Sequence, residues 1–364
     1  MQNPAVYNLA PAGSILLAGL LLAIFPAWWV FKRESTGAGR YRALAVLTLF
    51  LTFDLVLFGA FTRLSDSGLG CPDWPGCYGE STPMAAHADI SSAQNAMPTG
   101  PVTHSKAWIE MLHRYLATGV GALITLLALM HAWLRKRPTP EVAASWVPLL
   151  TLVWVCMQGA FGALTVTMKL FPLIVTLHLL GGLGLLALLA VQARGAAKTS
   201  GSQRINASPR AWLVAGLVIV LLQAALGAWV SSNYAVLACN TFPLCQGQIW
   251  PTMDFAAGFS LWRELGQVAG GGMLPFEALT AIHMVHRLFA LAVLLVLAFV
   301  IHRLWRVGAD KPAKWLAALT GMQLLTGLGN VILGWPLLAA LMHTGGAGAL
   351  VVVLTLSLAE EVAA

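Results

Sequence analysis

Nine apolar runs dominate the chain, at roughly 13–31, 42–63, 109–134, 145–167, 172–193, 211–232, 279–302, 314–334 and 336–358. Each approaches or exceeds the roughly 20 residues that a helix needs to cross a bilayer. Lipid offers no hydrogen bonds to the backbone, so apolar runs of this length must satisfy their N–H and C=O groups internally, as helices. The last two runs are parted only by Gly334-Trp335-Pro336, which leaves their boundary soft. Only 10% of the 364 residues are charged and the mean hydropathy is +0.77, against about a quarter charged in soluble domains. The expectation is an all-α polytopic membrane protein.

The net charge of +7 invites a nucleic-acid reading, but its distribution excludes one. The basic residues cluster at Lys32, Arg33, Arg40 and Arg42; at Arg135, Lys136 and Arg137; at Arg194, Lys198, Arg204 and Arg210; and at Arg303, Arg306, Lys311 and Lys314. These are alternate loops, the positive-inside pattern of a membrane protein. The pattern puts the N-terminus outside, the C-terminus in the cytoplasm, and the long loops 64–108 and 234–278 on the outside. The first eleven residues carry no Lys or Arg, so the first run reads as a retained span and not a cleaved signal peptide. With no Arg-rich, Ser-rich transit segment either, the expected home is a bacterial inner membrane.

The chain repeats itself. Gly59 to Cys71 and Gly227 to Cys239 have equal spacing, as do Cys71 to Cys77 and Cys239 to Cys245. Ile109-Glu110-Met111-Leu112-His113-Arg114 returns as Ile282-His283-Met284-Val285-His286-Arg287. Met157-Gln158 returns as Met322-Gln323, Phe171-Pro172 as Trp335-Pro336, and His178 with Gly181-Gly182 as His343 with Gly345-Gly346. The pattern predicts two tandem four-helix bundles, with one extra N-terminal transmembrane helix. Four spans per copy is an even number, so the copies share one orientation and a pseudo-two-fold axis along the membrane normal. The expected divisions are 1–41, the extra span and its cytoplasmic loop; 42–194, the N-terminal half; 195–210, a cytoplasmic linker; and 211–364, the C-terminal half.

Four of the five cysteines form two close pairs, Cys71 with Cys77 and Cys239 with Cys245, in loops that face an oxidising compartment. Each pair reads as a disulfide staple, or, for Cys71 and Cys77 especially, as a redox-active couple. Neither has a histidine at zinc-ligand spacing. Cys156 lies within a span and reads as a small core residue.

His113, His178, His286 and His343 occupy matching places in the repeat, each within about two turns of the outer end of its run. Paired imidazoles at one depth in a bundle suit a haem iron with two axial histidines. For any one of them the plainer reading is a hydrogen-bonded core histidine. Arg63, Arg114 and Arg287 lie at the outer boundary, where they can meet haem propionates or snorkel to headgroups. Glu110 shares a helical face with His113 one turn away, and ionisable groups inside spans are functional candidates. The second copy has His283 instead. His131 and His302 read as interfacial, His87 and His104 as loop residues, and Asp54 as a buried polar lock between helices.

Thr62-Arg63, Ser67-Gly68-Leu69, the Cys71-Pro72-Asp73-Trp74-Pro75-Gly76-Cys77 loop, Glu110-x-x-His113-Arg114 and the later His178, His286 and His343 together resemble the haem A synthase family, over about residues 42–358. The resemblance implies a membrane oxidoreductase that converts the C8 methyl of haem O to the formyl group of haem A by successive hydroxylations, for terminal oxidases. It also implies a haem b in the C-terminal half and the haem O substrate in the N-terminal half. The residues carry the same asymmetry, because only the N-terminal half adds a carboxylate that can take a proton. Glu110, His113 and His178 are therefore assigned to the substrate site, and His286 and His343 to the resident haem. Implied partners are the lipid bilayer, a haem O synthase (a farnesyltransferase) and an electron donor, with no nucleic acid; the oligomeric state is not readable. The extra first span departs from the family's eight-helix core. The alternative is a di-haem b-type membrane electron carrier, which would keep the four histidines and have no use for Glu110.

Overall fold

The computed structural model describes residues 7–137, 142, 145–195 and 208–362. Apart from a parallel pairing of two-residue strands, β1 (Tyr7–Asn8) with β2 (Trp74–Pro75), the regular structure is helical. In chain order the helices are α1 (Ala12–Arg33), α2 (Gly37–Leu64), α3 (His87–Ala96), α4 (His104–Arg135), α5 (Val147–Thr167), α6 (Pro172–Gly195), α7 (Ser208–Ser232), α8 (Phe255–Gly258), α9 (Phe276–Arg306), α10 (Asp310–Ile332) and α11 (Leu337–Val362). Among the described residues nine are long and apolar enough to cross a membrane, all but α3 and α8. Most of the expected linker 195–210 lies outside the described residues.

The helices run a few residues beyond their apolar runs because polar caps extend them. Thr36 Oγ1 accepts from the Gly39 N–H at the start of α2, and Thr103 Oγ1 from the Lys106 N–H at the start of α4. At 32 and 31 residues, α4 and α9 are about 47 Å long, well over the roughly 30 Å of hydrocarbon. Each is therefore long enough to project beyond the bilayer core.

The chain divides into two compact units, Met1–Leu170 with Gly184–Lys198, and Phe171–Leu183 with Thr199–Ala364. In the first, α4 packs on α1, α2 and α5. Its buried core includes Leu44, Leu123, Ile124, Leu127, Leu134 and Leu189. Tyr41 donates to Gln192 Oε1 (2.9 Å), whose Nε2 donates to Thr151 Oγ1 (2.6 Å), a polar thread through α2, α6 and α5. Helix α1 lies close against α4 because Gly19 meets Thr118 and a Cβ on Gly119 would lie 3.3 Å from the Gly19 carbonyl oxygen. Its outer end also covers the first cysteine loop: Ile15 is buried with Cys71, Cys77, Ala86, Ile90, Ala107 and Met111, and β1 pairs with the loop itself.

In the second unit α7 packs on α9 and α11, and α10 packs on the same two helices. Over its outer end, Trp229 donates to the Gly258 carbonyl (2.9 Å), and the buried Arg263 donates to Asn233 Oδ1 (2.5 Å) above the Trp229 ring.

Three expectations are corrected. Asp54 is exposed, in line with exposed Val46 and Phe50 on one face of α2, and is not buried. Cys156 is exposed on α5. His131 is buried beside the Tyr41 ring, not interfacial. The reason is common to all three: the outside of a membrane helix is as apolar as its inside, so hydropathy does not tell the two faces apart.

Candidate functional site

His286 on α9 and His343 on α11 meet inside the second unit. Their ring centroids are 6.5 Å apart with the ring planes at 81°. Two imidazoles on opposite sides of one metal ion, each bound at about 2 Å, have centroids roughly 6 Å apart. The pair therefore stands at the separation that a bis-imidazole metal centre needs.

Each ring rests over a glycine of a neighbouring helix. A Cβ on Gly227 of α7 would lie 3.1 Å from His286 Cε1, and one on Gly327 of α10 would lie 3.3 Å from His343 Cε1. Four residues before each glycine is a glutamine on the same helical face. Gln223 Nε2 donates to the His286 carbonyl (3.1 Å) and lies 3.1 Å from its Nδ1. Gln323 Nε2 donates to the His343 carbonyl (2.8 Å). A side chain on Gly346 would displace the ends of the Gln323 and Met322 side chains. In the sequence Gln323 and Gly227 stand out only as repeat markers, and Gly346 as a residue that lets helices or a flat macrocycle approach closely; Gln223 and Gly327 carry no separate signal. The spacing Gln-x-x-x-Gly occurs within apolar runs at 158/162, 223/227 and 323/327, and once more in a loop at 267/271.

The Thr326 hydroxyl lies 3.0 Å from His343 Nδ1 while donating to the Met322 carbonyl (2.8 Å). With that proton on the Met322 carbonyl, Thr326 Oγ1 can accept from an Nδ1–H of His343, the tautomer that would leave Nε2 with a free lone pair for a metal. The chemistry of this donor set fits a haem iron: two neutral imidazoles, apolar walls, and glycines that leave room beside them.

In the first unit His113 on α4 stacks on Phe58 of α2, with centroids 6.2 Å apart and planes 10° apart. A Cβ on Gly59 would lie 2.9 Å from its Nε2. The residue four before Gly59 is Leu55, so this position lacks the glutamine. His178, on α6, belongs to the second unit; it is half-buried, and its Nδ1 is buried without a hydrogen-bond partner.

Glu110 is 4% exposed. It pairs with Arg114 Nη2 through Oε1 (2.5 Å) and accepts the Cys71 N–H through Oε2 (2.8 Å). Arg114 Nη1 donates in turn to the carbonyls of Asp73, Pro75 and Gly76. In the second unit His283, also 4% exposed, donates from Nδ1 to the Ala235 carbonyl (3.0 Å) and accepts from Arg287 Nε at Nε2 (3.1 Å). Arg287 donates to the carbonyls of Cys239, Thr241 and Leu244. Both arginines thus hold a cysteine loop, one steered by a carboxylate and the other by a neutral imidazole. Both nitrogens of His283 are engaged, so it is not a metal ligand. Arg63 lies in the last turn of α2.

Both cysteine pairs are closed as disulfides, with Cα atoms 4.9 and 4.7 Å apart, and all four cysteines are fully buried. In the first loop the Asp73 carboxylate accepts the N–H groups of Tyr78 (2.6 Å) and Gly79 (2.7 Å). Burial first, then the Asp89 and Asp73 carboxylates, push the Tyr78 phenol above its ordinary range. His87 and His104, read as loop residues, open α3 and α4 with their rings 4.5 Å apart.

These features define a multi-pass membrane protein with a facing pair of imidazoles between its helices and two disulfide-closed loops. A family model described as cytochrome oxidase assembly protein matches residues 42–355. The haem A synthase of Shewanella oneidensis is 37% identical over 315 residues, 85% of this chain and 92% of that protein. That of Caulobacter vibrioides is 30% identical over 337 residues, covering 84% and 91%, and that of Allorhizobium ampelinum is 27% identical over 343 residues, covering 88% and 90%. The chain belongs to the haem A synthase family.

Proposed function

We propose that this chain acts as a haem A synthase, an oxidoreductase that converts the C8 methyl of haem O to a formyl group through two successive hydroxylations. The family membership supports the reaction. The observation that carries the site assignment is the facing pair His286 and His343, 6.5 Å apart between centroids and each over a glycine.

In this reading His286 and His343 hold a haem b. When bound, that group supplies one-electron transfer. The chain keeps both imidazoles neutral, oriented and shielded by apolar helix faces. His113 and His178 hold the haem O substrate. Glu110 takes up a proton released as the methyl is oxidised, or orients the reacting group through its face shared with His113. Arg63, Arg114 and Arg287 are the propionate contacts in this reading; Arg114 and Arg287 hold loop carbonyls and can reach a propionate only where it joins the same loop.

The reading extends to architecture and setting. The halves 42–194 and 211–364 form tandem four-helix bundles about a pseudo-two-fold axis, supported by their matched disulfide loops and arginine clamps. The protein sits in a bacterial inner membrane with the N-terminus outside and the C-terminus in the cytoplasm. Haem O comes from a farnesyltransferase, and an electron donor or acceptor completes the cycle.

The test is to express the chain with a haem O supply in a host that makes no haem A, then separate the extracted haems by chromatography. Haem A, or the alcohol intermediate, beside haem B is the expected result. Haem O and haem B alone, from folded protein, would overturn the enzyme reading in favour of a di-haem carrier.

A further inference from the structure

Of the four histidines read as haem ligands, one is met by a side-chain hydroxyl at the register three residues after the Gln, or its replacement, on the neighbouring helix. That register holds Phe58 after Leu55, Phe161 after Gln158, Leu226 after Gln223 and Thr326 after Gln323. Phe58 can only stack on His113. Thr326 is buried, spends its proton on the Met322 carbonyl at 2.8 Å, and faces His343 Nδ1 at 3.0 Å. A buried hydroxyl inside a span has no packing advantage over the isosteric valine, so its place beside a ligand ring is informative.

We propose that Thr326 is a positioning residue that locks His343 in the tautomer with Nε2 free and strengthens that nitrogen as a donor, thereby lowering the reduction potential of the haem held by His286 and His343. The inference rests on the assignment of those two histidines as ligands. The physical basis is the outer hydrogen bond of a ligating imidazole. An acceptor on Nδ1–H fixes the tautomer and raises ring basicity, which favours the more highly charged ferric iron over the ferrous state. The other three registers carry the apolar side chains Phe58, Phe161 and Leu226.

The experiment uses the full-length protein purified with its haem, as wild type, Thr326→Val and Thr326→Ser, each followed by optical redox titration and by electron paramagnetic resonance of the ferric form. Thr326→Val should shift the midpoint potential upward while retaining two axial imidazoles, and Thr326→Ser should return it to the wild-type value. Thr326→Ala carries the same comparison if the valine variant does not keep haem. An unmoved potential in the variants without a hydroxyl, or a serine variant displaced as far as valine, would overturn the proposal. A wild-type protein whose haem lacks two axial imidazoles would instead overturn the ligand assignment beneath it.

Discussion

Glu110 and His283 stand at the same place in their copies and do the same mechanical work: each steers an arginine onto the carbonyls of a disulfide loop. The clamp explains why a polar group is there in both copies, but not why one copy uses a carboxylate. Two substitutions separate clamp from chemistry. Glu110→Gln removes the charge, leaves Arg114 to the loop carbonyls, and should cost about 1–3 kcal/mol of stability. Glu110→His rebuilds in the first unit the neutral arrangement seen at His283. Both variants should keep the resident haem and accumulate haem O or the alcohol. Wild-type haem A yield from Glu110→His would reduce Glu110 to a clamp. At the other site, His286→Ala and His343→Ala each delete a proposed iron ligand and should strip haem from the purified protein. Full haem content with an unchanged spectrum in both would show that the iron is held elsewhere.

Among the elements, the first cysteine loop is held from several sides: the disulfide, the Arg114 clamp, the Asp73 cap, β1 and Ile15 of α1. Such burial fits a staple better than an exchanging couple, since a partner thiol has no approach to either sulfur. Closing a loop of this length is worth about 2 kcal/mol. Cys71→Ser with Cys77→Ser should therefore lower thermal stability by that order, with activity falling in proportion to folded protein. A folded, haem-loaded double variant with no turnover would point to a redox role. The same contacts show what the extra first helix does for this chain: α1 is a packed member of the first unit and a lid on its disulfide. Apolarity alone identified it as a span but carried no information about which helix it would meet, because that depends on the close fit of Gly19 and Gly119.

For the molecule as a whole, the alternation of basic loops sets a test of orientation. A reporter active only in the cytoplasm should work when fused after residue 362, and one active only outside should work when inserted in the loop 234–278. The reverse pattern would invert the proposed topology. The nine membrane-length helices among the described residues and their approximate ends are legible because they depend on local quantities, the length of an apolar run and the position of charge. The four candidate histidines were legible for the same reason, being polar residues at repeated positions in apolar helices.

What the sequence determined by itself was therefore the membrane class, the membrane-length helices, the family motifs and the set of side chains from which a site can be built. Tertiary structure decided how those side chains are used. It turned Asp54 and Cys156 outward, which hydropathy cannot do, since both faces of a membrane helix are apolar. It engaged Arg114 and Arg287 with loop carbonyls, because guanidinium groups at that depth take whatever acceptors the fold brings near. It brought His286 and His343 to 6.5 Å and set Gly227, Gly327, Gln223, Gln323 and Thr326 around them. Those contacts join residues 16 to 63 positions apart in the chain, so their pairing depends on which helices pack together, a long-range outcome that no local spacing encodes.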